Sequence, residues 1–217
     1  MALLAVGAAV LAGTGCGGRA ELHPALRVEN EDLQRAISKG RSLIRQEADV
    51  DEARTWALRD ANVRVSREVI IRKAGCSWPV DEIALAIAEQ GDDSDAGVRR
   101  AARRAMRLLE RELKFMVVMQ VPKSRDPASV EFALRTSRGV EYPPIAVETP
   151  TFLREVVSPF DADAPRGAMY YYVVRFPIRG GPGVPPVGPT VSALNLVVRD
   201  GQSEGAVDFP LRAPRRR

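Results

Sequence analysis

Histidine is almost missing from this chain of 217 residues, where His23 is the only one. Hydrolysis through a Ser-His or Cys-His pair needs an imidazole held against the nucleophile. The one imidazole falls in a stretch, 17–28, that reads as a short tether containing Gly18 and Pro24. Cysteine is scarce too. Cys16 and Cys76 alone cannot build a Cys₄ zinc site, and one histidine cannot build a histidine-rich one. Phosphate loops are absent: Gly180, Gly181, Pro182 and Gly183 are followed by no GK[ST], and the prolines remove N–H donors that a phosphate needs. The EF-hand spacing fails at Asp161 and Asp163, because no glutamate stands at the twelfth position and Gly167 is misplaced. No cofactor and no metal are implied. Beyond residue 12, no apolar run approaches the roughly 20 residues of a membrane-spanning helix. Paired carboxylates are the one catalytic option that composition leaves open.

The remaining composition is that of a globular domain, 45% hydrophobic and 28% charged. The net charge of +4, with a sequence pI near 9.4, suits anionic membrane surfaces or peptidoglycan. It carries no nucleic-acid motif with it, so no nucleic-acid partner is expected.

The N-terminus holds the most specific signal. Residues 2–12 are apolar or glycine throughout, and Gly13, Thr14 and Gly15 lead directly into Cys16. The apolar run matches the core of a secretory signal, roughly 7 to 15 residues long. Thr14, Gly15 and Cys16 resemble the lipobox of bacterial lipoproteins, in which two small residues precede the cysteine. Gly13 replaces the usual aliphatic residue, and no Lys or Arg follows Met1. The resemblance implies export, acylation of Cys16 and anchoring in the bacterial cell envelope, at the outer membrane or periplasmic face. Cys76 is then left without an intramolecular partner and is expected to be a buried thiol.

Helical spacing dominates the first half. Asn30 is placed to cap a helix starting at Glu31, with Leu33, Ile37, Gly40 and Ile44 at its repeat. Residues 49–60 read as a second short helix, with Ala53, Trp56 and Ala57 on one face. Residues 63–72 read as one strand, since Val63, Val65, Val69 and Ile71 fall on alternate positions. Ser77 and Pro79 open another helix, with Asp81 and Glu82 suiting the positive end of its dipole. The clearest helix is expected from Asp95 to about Lys114, with Val98, Ala101, Ala102, Ala105, Leu108, Leu109 and Leu113 on one face.

From residue 115 the period changes to that of strands, expected at 115–121, 130–135, 152–157, 169–178, 191–199 and 206–211. Residues 180–189 form a Pro/Gly loop. The organisation is therefore a signal at 1–16, a tether at 17–28, a mainly helical region at 29–114, an antiparallel β region at 115–211 and a basic tail at 212–217. The fold class expected is α+β, with N-terminal helices packed on a C-terminal antiparallel, sandwich-like sheet. The strand pattern at Phe132 to Arg135, the Ser137-Arg138-Gly139 turn, the Tyr170 to Phe176 run and the closing Leu194 to Val198 resemble immunoglobulin-like lipoprotein ectodomains. The resemblance implies a sandwich and no activity.

Helix 95–114 carries seven basic residues against Asp95, Glu110 and Glu112, an excess of +4. Arg100, Arg103, Arg104, Arg107 and Arg111 fall beside or opposite its apolar stripe, which makes them a candidate contact patch for an acidic or envelope protein partner. Alternation places Tyr170 and Tyr172 on one face of their strand and Tyr171 on the other. The functional expectation is a non-catalytic, membrane-anchored envelope lipoprotein that binds or scaffolds another envelope component. The alternatives are a carboxylate-based hydrolase of an envelope glycan and a carrier of an apolar ligand.

Overall fold

A computed structural model describes residues 21–55, 57–109, 111–156, 167–180 and 185–211. Cys16 with its lipobox, Trp56, Glu110, Asp161, Asp163 and the basic tail lie outside the described residues. The chain runs α1 (Asn30–Arg45), α2 (Val50–Thr55), β1 (Arg59–Arg64), β2 (Ile70–Ser77), α3 (Pro79–Gln90), α4 (Asp95–Leu109) and β3 (Glu112–Pro122). There follow β4 (Glu131–Thr136), β5 (Glu141–Tyr142), β6 (Ala146–Val147), β7 (Thr151–Val156), β8 (Gly167–Pro177), β9 (Ala193–Asp200) and β10 (Ser203–Pro210). Strands β1-β2-β3-β8-β6 form one antiparallel sheet, with β7 also paired to β8, and β10-β9-β4-β5 form a second. The α+β class expected from the sequence is the class observed.

β3 shows why the arrangement is layered. Leu113, Phe115, Val117, Met119 and Val121 join residues of the second sheet, among them Phe132, Leu134, Leu196 and Val198, in one core. The alternate residues Met116, Val118 and Gln120 are buried as well, on the opposite face. A strand covered on both sides reads as a continuous apolar run, which is what the sequence shows at 115–121. On that second face, Lys114 pairs with Glu82 of α3 at 3.0 Å, so the helices form the third layer. Edge-to-face rings tie the sandwich together: Phe115 lies 5.6 Å from Phe176 and 5.1 Å from Phe209, centroid to centroid. Burying each such ring contributes about 1.5–3 kcal/mol. Tyr172 is fully buried in this core and satisfies its hydroxyl by donating to the Pro127 carbonyl at 3.0 Å. Tyr170 packs partly against the same core, as the alternation predicts.

Within the helical layer, α3 packs against both α1 and α4. Gly40 lets α1 approach closely, since a Cβ there would stand 2.8 Å from Ile87 Cβ. Alanines do the same on α4, where Ala101, Ala102 and Ala105 are buried with Ile83 and Ile87.

Several expected boundaries shift. The cap of α1 is Glu29, whose side chain accepts from the N3 backbone while Asp32 accepts from the Glu29 N–H; Asn30 is the first helical residue. Residues 63–72 do not make one strand. Ser66 Oγ accepts from the Glu68 and Val69 N–H groups at 3.2 and 3.1 Å, which turns the chain into a hairpin of β1 and β2. The helix expected at 49–60 stops at Thr55, and β1 begins at Arg59. α4 ends at Leu109, because Leu113 belongs to the two-residue repeat of β3 and faces the sandwich core. The boundary at 114/115 therefore falls inside β3. The region 29–114 also supplies β1 and β2 to the same sheet as β3 and β8, so both halves of the chain build one sheet. Residues 23–26 are not a free tether: the His23 N–H donates to Val187 O at 2.8 Å, and Leu26 is buried in the core.

Candidate functional site

α4 is positioned by its first turn. Ser94 Oγ accepts from the Gly97 N–H at 3.1 Å, a capping contact. Gly97 is packed so closely on Asp92 that a Cβ there would sit 2.1 Å from the Asp92 carboxylate. Val98, Ala101, Ala102, Ala105 and Leu109 are buried. The arc left outside carries Arg99, Arg100, Arg103, Arg104 and Arg107, all exposed, with Arg111 exposed just beyond the helix.

The acids near this helix are held by other partners. Asp93 forms ion pairs with Arg41 at 3.1 Å and with Arg45 at 3.6 Å, while Asp95 pairs with Arg41. The Arg41 hydrogen bond holds the Asp95 carboxyl below the usual range. Asp92 is likewise held down, chiefly by its hydrogen bonds with Ser94, and also pairs with Arg100 at 3.3 Å. Among the described residues, Arg99, Arg103, Arg104, Arg107 and Arg111 have no carboxylate within ion-pair distance; Arg107 donates only to the Arg103 carbonyl, at 3.4 Å. The structure thus leaves the five arginines expected from the sequence exposed, four of them on α4 and Arg111 beyond its end, with Arg100 partly engaged. Leu108, expected on the buried stripe, is instead 53% exposed among these arginines. A row of solvated guanidinium groups with one apolar side chain among them attracts anions and offers no nucleophile or base.

The residues with catalytic potential are placed elsewhere. His23 Nδ1 accepts from the Ala25 N–H at 3.1 Å and caps a 3-10 turn at Pro24–Leu26, while burial, with Arg27 nearby, lowers its pKa. Burial pushes the Cys76 thiol well above its ordinary value. Among the described residues, no cluster of three His, Cys, Asp or Glu side chains is placed to hold a metal.

Two arrangements were not legible in the sequence. On the outer face of the second sheet, Arg135 donates to Glu204 at 2.8 and 3.0 Å and to Glu141 at 2.8 Å, and Arg199 donates to both glutamates as well. These four residues are brought together by β4, β5, β9 and β10, far apart in sequence. The second arrangement is a cleft of about 720 Å³ between the edges of the two sheets. Of its acids, Asp32 is paired with Arg35, Asp60 with Lys73 at 3.7 Å and Asp81 with Lys39 at 2.8 Å.

No family model matches the chain, and neither a curated protein nor a solved structure matches it.

Proposed function

We propose that this chain is a non-catalytic domain of the bacterial cell envelope, tethered to a membrane through an acylated Cys16, that binds an acidic envelope component through the arginine face of α4. The observation that carries the reading is the row Arg99, Arg103, Arg104, Arg107 and Arg111, which is exposed and has no carboxylate partner among the described residues. The domain needs no such row for its own packing, because the buried side of α4 is made of Val98, alanines and Leu109. Near an anionic surface each basic residue contributes about 1 kcal/mol, so several acting together amount to a useful affinity. The lipobox-like run ending at Cys16 supports the anchor, since burial of acyl chains adds about 0.8 kcal/mol per CH₂.

The test is crosslinking and recovery from native membranes, with a photoreactive residue in place of Leu108. The proposal expects a discrete acidic adduct, and a Cys16→Ser chain that takes up no acyl label and leaves the membrane on washing. An unlabelled wild-type Cys16, with equal membrane retention of both chains, contradicts the anchor. The absence of any adduct at Leu108 contradicts the contact surface.

A further inference from the structure

The free edges of the two sheets meet and then part. β1 and β10 are edge strands. At Gly205 they touch, since a Cβ there would lie 3.0 Å from Val65 Cγ2 and 3.1 Å from Val63 Cγ1. At the other ends of these strands, Arg59, Asp60 and Ala61 on β1 and Val207 to Pro210 on β10 line the cleft of about 720 Å³. That volume lies within the roughly 300–1,000 Å³ typical of small-molecule sites. The turn at Pro24, together with Trp78 and the first residues of α3, Pro79 and Val80, closes it.

The chemistry of the lining selects a ligand. Its inner wall is apolar, from Ala61, Ala74, Val80 and Val207 with the ring of Phe209. Asp32, Asp60 and Asp81 are each paired with a cation, and Asp208 is exposed to solvent on the outer side of β10. Arg59 and the indole N–H of Trp78 have no hydrogen-bond partner among the described residues. Both are donors. Aromatic and arginine side chains that line one recess are also the types that dominate binding energy.

We propose that this cleft binds a small amphiphilic anion, with one carboxylate or phosphate on Arg59 and Trp78 and an apolar body against Ala61, Val80 and Val207. The inference is independent of the α4 surface, which shares none of the lining residues. The bound anion replaces water on two donors that the fold leaves open, and the apolar body removes the inner wall from water.

The experiment follows Trp78 fluorescence in the full chain carrying Trp56→Phe. Decanoate, decyl phosphate and decyltrimethylammonium are the probes. The expected result is a saturable blue shift with at least one of the two anions and none with the cation, the tighter anion naming the head group. Arg59→Glu weakens binding at least tenfold, and Ala61→Leu, which fills the wall, does the same without touching the charge. Arg59 is exposed and Ala61 only half-buried, so the melting temperatures of both variants should stay near that of the parent. Failure of both anions to give a saturable shift overturns the proposal. So does equal binding of the cation, or binding that neither variant alters.

Discussion

Lys114 on β3 donates to both carboxylate oxygens of Glu82 on α3, at 3.1 and 3.0 Å. The two side chains are only 24% and 18% exposed, and Glu82 also accepts from the Ser77 hydroxyl. This contact joins the helical layer to the six-stranded sheet. Removal of one partner strands the other in a poorly solvated place, which costs about 3 kcal/mol for a buried pair. Lys114→Ala and Glu82→Ala should each lower unfolding free energy by about 2–3 kcal/mol in urea titrations. The double variant should cost clearly less than their sum. Single losses under about 0.5 kcal/mol would mean that apolar contacts alone dock the helices.

A close approach to backbone at Gly75 provides a second test. A Cβ on Gly75 would sit 2.6 Å from the Ala57 carbonyl oxygen, whereas one on Gly205 would sit 3.0 Å from a Val65 methyl. A valine side chain yields and a carbonyl does not. Gly75→Ala should therefore destabilise by about 2–3 kcal/mol and Gly205→Ala by less, near 1 kcal/mol. Thermal melting of the two variants checks the order, and a reversed order contradicts the account of that edge.

Acid should loosen the four-residue charge network on the outer sheet. Hydrogen bonds from Arg199 and Arg135 hold the Glu141 carboxyl below the usual range, and bonds from Arg135 and Arg199 do the same for Glu204. A carboxyl depressed in the folded state contributes stability that is complete above its unfolded pKa of about 4.3 and is lost as pH falls through the folded value. These groups are solvent-accessible, so the contribution is modest. Arg135→Ala with Arg199→Ala should raise both glutamate pKa values, read by NMR titration, and flatten the stability–pH curve below about pH 4.3. Unchanged titration midpoints would show that the arginines do not act on these carboxyls.

Cys76 is 3% exposed and its thiol is pushed up by burial, with Glu82 and Asp81 adding to the rise. It should react with a disulfide reagent only as fast as the domain opens, and at the full rate in denaturant. Rapid modification of the folded chain at pH 8 would contradict its placement in the core.

What the sequence revealed depended on range. Local periodicity was enough to find the three long helices and to place Arg103, Arg104 and Arg107 outside the stripe of Ala101 and Ala105, because a helix face is fixed by neighbours three or four residues apart. It failed at residues 63–72, where a single serine, Ser66, turns an alternating run into a hairpin. It also failed at Leu113, an apolar residue that fits the helix repeat and the strand repeat alike. The cleft was beyond reach: Arg59, Trp78 and Phe209 line one recess only because the edges of two separate sheets, from different halves of the chain, come together. His23 illustrates the reverse error, since a lone polar residue among Gly and Pro looks like linker until its N–H is found on Val187.

The α4 surface bears the weight of the functional reading. Its direct test is the binding of the full chain, with Cys16→Ser to remove the lipid anchor, to envelope membranes across a salt series. Exposed charges are screened beyond about 10 Å at 0.1 M salt, so binding should fall steeply as salt rises. Arg103→Glu with Arg107→Glu should weaken it at least tenfold while leaving the melting temperature nearly unchanged, because neither side chain takes part in packing. Binding indifferent to salt and to both reversals would contradict the account and leave these arginines with the sole task of solvating a helix.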